Sequence, residues 1–563
     1  MADPEGPASS SRGGSMLVAT GIFLSRVSGL ARERALAHFL GTSFATEAFR
    51  AAMRIPNLLQ NLLGEGVLSA SFIPVYSRLL AEGRERDAGV VAGAIAGLLT
   101  ALTGALVVAG VLFAEPITSV IAAGFTGARF DLTVTLVRIV TPGIGFLVLS
   151  AWCLGVLNSH RHFFLSYVAP VVLNAAQIAV LVGFGLTVFG EGLGDGPSEP
   201  AALAGLATAL GWGTLAGGVL QFAVQLPKVL RVAPGVRPSL RTDLPGVRST
   251  LRAFGPVVAG RGVVQLSAYV DTLLASFLVV GALAALGYAQ IFYLLPISLF
   301  GMSVAAAELP ELSSTTEEDR GALTARLDRG LARIAFFVAP TIAAYLVIGD
   351  LVVGALLQTG EFGRAATLQV WAILAGYSLG LLASTGSRLL QSALYAIGDA
   401  ATPAKISTLR VTASAAVGVA LMLQLDRVGI STAGVVLLDQ LPAFAPLPAP
   451  LREAAGGPPR LGALGLALGA AIGAWLEYAL LRRTVRRRIG RTRHGGGHLP
   501  RTAVAAGAAA IAGVVVRPLL AGLPVLVAGP LAAGLLGVVY LAVASRLRLP
   551  EASRLLEAVR RRR

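Results

Sequence analysis

Apolar stretches of about 20 residues or more, the length a helix needs to cross a hydrocarbon core of about 30 Å, recur along almost the whole of this 563-residue chain. That recurrence removes most folds from consideration. Strands of a membrane barrel alternate in polarity and run about 9 to 11 residues, whereas these stretches are long and uniformly apolar, so they read as helices that satisfy their own backbone groups in lipid. Charged residues make up only 13% of the chain and hydrophobic ones 55%, against about 25% charged in a soluble domain. The expectation is an all-α polytopic membrane protein of about fourteen transmembrane helices. They fall near 16–40, 44–78, 88–114, 132–157, 163–189, 200–226, 250–280, 283–312, 322–348, 365–395, 404–424, 461–482, 502–521 and 524–545.

Charge then orients the spans. The net charge of +16 would point to nucleic acid in a soluble chain, but here the basic residues gather in alternate loops and nucleic acid is set aside as a partner. Arg78, Arg84 and Arg86 follow the second span, His160 and Arg161 the fourth, Lys228 to Arg252 the sixth, and "LRRTVRRRIGRTRHGGGHLPR" the twelfth. The intervening loops are short or acidic, as in "GEGLGDGPSEP". By the bias of Lys and Arg toward cytoplasmic loops, both termini and all the basic loops lie on the cytoplasmic side of the membrane, where they also meet anionic lipid. The opening "MADPEGPASSSRGGS" lacks the apolar core of a cleaved signal. Residues 1–15 are therefore expected as a disordered tail, and the first span as its own insertion signal. The single cysteine, Cys153, lies in an apolar stretch and leaves no disulfide or thiolate metal site to build.

The spans group into two sets of six, residues 16–226 and 250–482, joined by a basic cytoplasmic linker at 227–249. A basic loop at 483–501, a helix pair at 502–545 and a basic tail at 546–563 follow. Each set opens on a charged span followed by one rich in Gly and Pro, a weak internal symmetry of the kind transporters show. The Pro- and Gly-rich stretch near 425–460 is expected as an extended loop outside the cytoplasm.

Other charges, inside the spans, are not explained by topology. "RVSGLARERALAHFLG" places Arg26, Arg32, Glu33, Arg34 and His38 within one helix. A charge at the bilayer centre costs at least about 2.5–3.5 kcal/mol, so such groups must face protein or water; Arg34 and His38 are also near enough to the helix end to snorkel. Arg26 and Arg32, six residues apart, leave a regular helix on different faces, and a kink at Gly29 would turn both toward one cavity. "TEAFRAAMRIPNLLQNLLGEG" adds Glu47, Arg50, Arg54 and Glu65. Arg50 and Arg54 form an i, i+4 pair of like charges that an anion would relieve, and Pro56, Gly64 and Gly66 loosen the helix. "GPVVAGRGVVQLSAYVDTLLASFL" adds Arg261 and Gln265, one turn apart, and Asp271, while Arg138 and Arg388 stand in otherwise apolar runs near a membrane surface.

The intramembrane excess is cationic, and the planar fork of arginine matches phosphate oxygens. A phosphate-bearing substrate in a wet, basic cavity is the chemistry that fits. The sequence has no GxxxxGK[ST] loop, no HExxH and no Cys/His cluster. No metal, cofactor or enzymatic activity is expected, and transport would draw on a gradient, with membrane potential or a monovalent cation as coupling sources.

"SRVSGLARERALAHFLG", "ATEAFRAAMRIPNLLQNLLGEGVLSASFIPVYS", "LNSHRHFFLSYVAPVVLN", "GPVVAGRGVVQLSAYVDTLLASFL" and "GDAATPAK", in that order from about residue 16 to 410, resemble the lipid II flippase family (MurJ, or MviN). The resemblance implies two six-helix lobes around a central cationic cavity, with a C-terminal helix pair forming a groove for a lipid tail. It also implies movement of an undecaprenyl-diphosphate-linked peptidoglycan precursor from the inner to the outer leaflet of the bacterial cytoplasmic membrane by alternating access. Carried over by position, the family's arginines of the first span fall on Arg26 and Arg32, its acid and next basic position on Glu47 and Arg54, and the acid of the "EG" motif on Glu65.

The chain departs from the family pattern twice. Gln60 and Asn61 follow "PNLL" where basic residues are usual, and "GYAQIFYLLP" has Gln290, Ile291 and Leu294 where the family's eighth span carries charge. Arg261, on an adjacent span, is a candidate replacement. The substrate site is therefore expected at Arg26, Arg32, Arg54 and Arg261, supported by Glu47, Glu65, Gln265, Asp271 and Arg388. A divergent paralogue carrying another amphiphile, or a non-transporting scaffold that recruits cell-wall synthesis enzymes through its basic loops, is the alternative that the second departure keeps open.

Overall fold

The computed structural model of the chain describes residues 8–189, 199–302, 320–431, 434–454, 457–490 and 498–560. Side chains are described for these apart from 8–17, 65, 188–189, 259–268, 301–302, 320, 322, 556 and 558–560. The start of the expected tail, the acidic loop at 190–198 and the stretch 491–497 of the basic loop lie outside the described residues. The chain divides into two compact units, residues 1–277 with 359–361, and residues 278–358 with 362–563.

In unit 1, helix α1 is described over Ala8–Leu40. Residues 8–15 of the stretch expected as a disordered tail are thus helical. α1 is also continuous through Gly29, so the expected break there does not occur. The second expected span breaks into four short helices, α2 (Phe44–Ala52), α3 (Arg54–Leu63), α4 (Glu65–Ser71) and α5 (Ile73–Ala81). The breaks follow local chemistry. Gly64 between α3 and α4 leaves the helical region with φ −92° and ψ −145°, and Pro74 sits in the first turn of α5, where its missing N–H has no partner to lose.

Helices α6 (Glu85–Leu112), α7 (Ala114–Ile121), α8 (Gly127–Val140), α9 (Gly143–Ser159), α10 (Phe163–Phe189), α11 (Pro200–Val232) and α12 (Pro245–Ser276) complete the unit. Phe72, Tyr76, Trp152 and Cys153 are buried together in its core, and the Trp152 indole N–H donates to the Ala92 carbonyl at 3.1 Å, removing the one polar cost of burying that ring. The basic linker before α12 is not a free tether. A Cβ at Gly89, Gly93 or Gly97 of α6 would collide with the backbone carbonyl oxygens of Pro234, Arg237 and Ser239 respectively. Glycines every fourth residue therefore form a flat seat on α6 for the linker backbone, and Ser239 N–H donates to Gly93 O at 3.3 Å.

Unit 2 starts with α13 (Ala282–Pro296), which runs into a π-helical turn at Ile297–Met302. α14 (Arg320–Val347), α15 (Gly349–Leu357), α16 (Arg364–Ser378), α17 (Leu381–Ala396) and α18 (Ala401–Leu425) follow. The stretch expected as an extended loop instead holds an antiparallel hairpin, β1 (Val428–Ser431) with β2 (Gly434–Leu437), in register Val428 to Leu437, and a short α19 (Ala449–Glu453). The β-branched residues of "VGIS" and "GVVL" carry that preference. The chain then passes through α20 (Gly462–Arg488), α21 (His498–Leu520), α22 (Val525–Arg546) and α23 (Pro550–Arg560). Gly465 and Gly469 bring α20 against the backbone of α18, the close approach that small residues allow in lipid. α21 and α22 pack on α14 and α15 around Phe336, Ile348 and Tyr540. A buried Asp350 carboxylate fixes the seam, accepting from Arg364 at 2.7 Å and from Arg517 of α21 at 2.9 Å.

Among the described residues, 10 helices are long and apolar enough to cross a membrane, or up to 12 if each of two bent pairs, α8 with α9 and α16 with α17, is one span. The spans expected at 16–40 and 250–280 are helical but fall outside that set. Both α1 and α12 include stretches outside those described in full, 8–17 and 259–268, so the number is one for the described residues.

Candidate substrate-binding site

The charges of the first span are assembled around one carboxylate. Glu33 is buried, and its Oε1 accepts from Arg32 at 2.5 Å while its Oε2 accepts from Arg50 of α2 at 2.8 Å. Arg32 also donates to Asn174 Oδ1 of α10 at 3.3 Å, and Asn174 Nδ2 donates to Ser28 Oγ at 2.9 Å. The five groups join α1, α2 and α10 and carry a net charge of one cation, with Arg32 about one third exposed (32%). A guanidinium with spare donors, held by a neighbouring carboxylate and still open to solvent, is arranged to accept phosphate oxygens. The expectation that Arg50 and Arg54 repel as an i, i+4 pair is corrected by the break at Met53, which puts them on separate helices, and Arg50 finds its counter-charge in Glu33.

Glu47 pairs with an arginine outside the expected set. It is fully buried and accepts from Arg129 of α8 at 2.8 Å, also fully buried, and Arg129 lies over the Phe125 ring with its guanidinium carbon 4.1 Å from the centroid. This pair locks α2 to α8. Arg129 was not singled out from sequence because it stands beside a loop glycine, in a run that reads as a span end. Glu33, Arg50 and Asn174 were equally unassigned, although Glu33 lies next to Arg32 in the charged stretch.

The remaining expected residues are dispersed. Arg26 is exposed, as is Arg388 on α17. Arg54 is partly buried, and its carbonyl accepts from the Tyr269 hydroxyl of α12 at 2.7 Å, so α12 packs on the charged start of α3. Asp271 is partly buried on α12. The side chains of Glu65, Arg261 and Gln265 lie outside those described. His38 places Nδ1 2.8 Å from Thr359 Oγ1, so it is held by protein and does not snorkel.

Both departures from the family pattern sit in neutral surroundings. Gln60 and Asn61 line a cavity of about 450 Å³ within unit 1, with Ser69, Ser150, Ser166 and Gln221. In unit 2, Gln290 Nε2 donates to the Tyr377 hydroxyl at 3.2 Å, Tyr377 stacks on Tyr293 at 4.7 Å, and the Tyr293 hydroxyl is 2.7 Å from Ser384 Oγ. Leu294 is exposed.

With this geometry in place, comparison with known proteins gives a consistent result. A family profile described as "Lipid II flippase MurJ" matches residues 36–438. The lipid II flippase MurJ of Burkholderia cenocepacia is 33% identical over 391 residues, 68% of this chain and 73% of that protein. A probable lipid II flippase MurJ of Rhizobium tropici is 31% identical over 419 residues, 73% and 76% of the two chains. A solved lipid II flippase MurJ in an inward closed conformation superposes with a TM-score of 0.70 at 22% identity, covering 94% of this chain and 98% of that one. An inward-facing multidrug resistance MATE family transporter of the MOP superfamily gives 0.59 at 15% identity, covering 84% and 96%. The fold is the multi-pass helical fold of these solved structures. The chain belongs to the lipid II flippase MurJ family.

Proposed function

We propose that this protein is a flippase that carries lipid II, the undecaprenyl-diphosphate-linked peptidoglycan precursor, from the inner to the outer leaflet of the bacterial cytoplasmic membrane by alternating access. The observation that carries the reading is the family match over residues 36–438, which includes Arg50 of the cationic network and begins three residues after its other members, Arg32 and Glu33. Arg26, Arg32, Arg54 and Arg261 receive the diphosphate, with Arg50 added to the set and Glu33 as the group that holds Arg32 and Arg50 ready. Glu65, Gln265, Asp271 and Arg388 support them, and Glu47 acts structurally through Arg129. The polyprenyl tail stays in lipid or against the pair α21 and α22. Both termini face the cytoplasm, where basic loops meet anionic lipid and cell-wall synthesis enzymes, and the cycle is driven by membrane potential or a monovalent cation.

Expression in cells depleted of their own lipid II flippase tests the proposal. Restored growth and wall synthesis are expected, with loss of both when Arg32 and Arg50 are replaced together by alanine. A wild-type chain that reaches the membrane and restores nothing would overturn it and favour the scaffold reading.

A further inference from the structure

The cavity at Gln60 and Asn61 differs in kind from the charged network. Among the described residues, eleven line it, glutamine, asparagine, serine, glycine, alanine, leucine and proline, and none of these is ionisable. An anion placed there would lose water without gaining a counter-charge, a cost of several kcal/mol, so the cavity suits a neutral occupant. Its volume of about 450 Å³ lies in the range of about 300–1,000 Å³ that small-molecule sites occupy, roughly that of fifteen waters at about 30 Å³ each.

Hydrogen-bonding capacity narrows the occupant further. Gln221 and Gln225, on one face of α11, both donate their amide nitrogens to Ser150 Oγ of α9, at 2.9 and 2.5 Å. Those two bonds fill the acceptor capacity of the hydroxyl. The amide oxygens of Gln221 and Gln225 are left buried without a donor, and Gln221 forms part of the cavity wall. The wall itself, with Gln60, Asn61, Ser69, Ser166 and Gln221, offers amides and hydroxyls that both give and accept hydrogen bonds, which a ligand bearing hydroxyl or amide N–H groups uses. Gln60 stands six residues after Arg54 on the same helix, about 9 Å along its axis. That spacing is of the order of the distance from a diphosphate to the sugar rings attached to it.

We infer that this cavity is a glycan subsite, taking the neutral hydroxyl- and acetamido-bearing sugars of the substrate while the arginines of α1 to α3 take its diphosphate. The inference rests on the flippase reading above and divides the headgroup between two chemically distinct neighbourhoods. It also gives the departure at Gln60 and Asn61 a use, since amides exchange hydrogen bonds with sugars in both directions.

Binding of lipid II and of undecaprenyl diphosphate, which lacks the sugars, to the full-length protein in a detergent without a sugar headgroup separates the possibilities. Gln221→Leu and, on the less buried wall, Gln60→Leu are each expected to weaken lipid II binding about tenfold, or about 1.4 kcal/mol, and to leave undecaprenyl diphosphate binding unchanged. Variants that weaken both lipids equally, or neither, would overturn the subsite and leave the flippase reading standing. A wild-type protein that binds neither lipid would overturn both. The Gln60 variant, at a partly exposed position, keeps the test decisive should Gln221→Leu fail to fold.

Discussion

Arg129 and Glu47, 82 positions apart in the chain, meet at 2.8 Å with both side chains sealed from solvent. Removing one member of such a pair leaves an uncompensated buried charge, at a cost of about 3–5 kcal/mol, whereas replacing both by apolar groups is often neutral. Glu47→Gln and Arg129→Met should therefore each lower the thermal unfolding temperature in detergent sharply, and Glu47→Leu combined with Arg129→Met should recover most of the loss. Additive losses in the double variant would show that the two charges do not act as a pair.

Glu33 is the shared acceptor for Arg32 and Arg50, so Glu33→Gln removes the carboxylate that these two neighbouring cations share. The variant should lose about 1–3 kcal/mol of stability and regain it when a diphosphate lipid is added. Thermal shift measurements with undecaprenyl diphosphate are expected to give a larger rise for Glu33→Gln than for wild type, and equal rises would remove the network from the anion site.

Asp426, in the loop after α18, is buried, and desolvation pushes its carboxyl up to about 6, against the pull of Arg460, Arg427 and Arg452 and with Asp439 adding to the rise. Its folded-state value lies above the unfolded one, near 3.9, so its contribution to stability is full below about pH 4 and declines as pH rises through about 6. Between pH 4 and 6 the unfolding temperature of wild type should fall more steeply with rising pH than that of Asp426→Asn. Parallel curves would contradict the burial of an ionisable group at this site.

The glycine seat on α6 gives a prediction about protease access. Gly93→Leu places a side chain where the carbonyl of Arg237 lies, so the linker must lift. Trypsin should then cut after Arg241 several times faster than in the wild-type protein, and an unchanged rate would mean that the linker does not depend on the seat.

Much of this architecture is legible in the residues themselves. Apolar runs of spanning length locate the long helices, and Gly64 and Pro74 locate breaks in the second span because each acts on its own backbone. Pairings at long range are less visible. Nothing around Arg129 indicates that it meets Glu47, and nothing around Glu33 indicates that its second oxygen is reserved for Arg50, since those contacts depend on how helices from distant stretches are brought together. The hairpin at 428–437 was hidden by the prolines and glycines that follow it. Gln60 and Asn61 stood out in sequence only as missing arginines. Their shared cavity with Ser150 and Gln221 exists only once α3, α9 and α11 are packed.

Because residues 233–244 are pressed onto α6 and α12 is counted with the helices before it, the bridge between the two sets of spans is part of a finished body. The natural place to exchange pieces between this protein and its relatives is therefore just beyond Ser276. A chimaera joined there would inherit one whole body from each parent, while one joined inside the basic stretch would tear a packed seam and ask two foreign surfaces to fit.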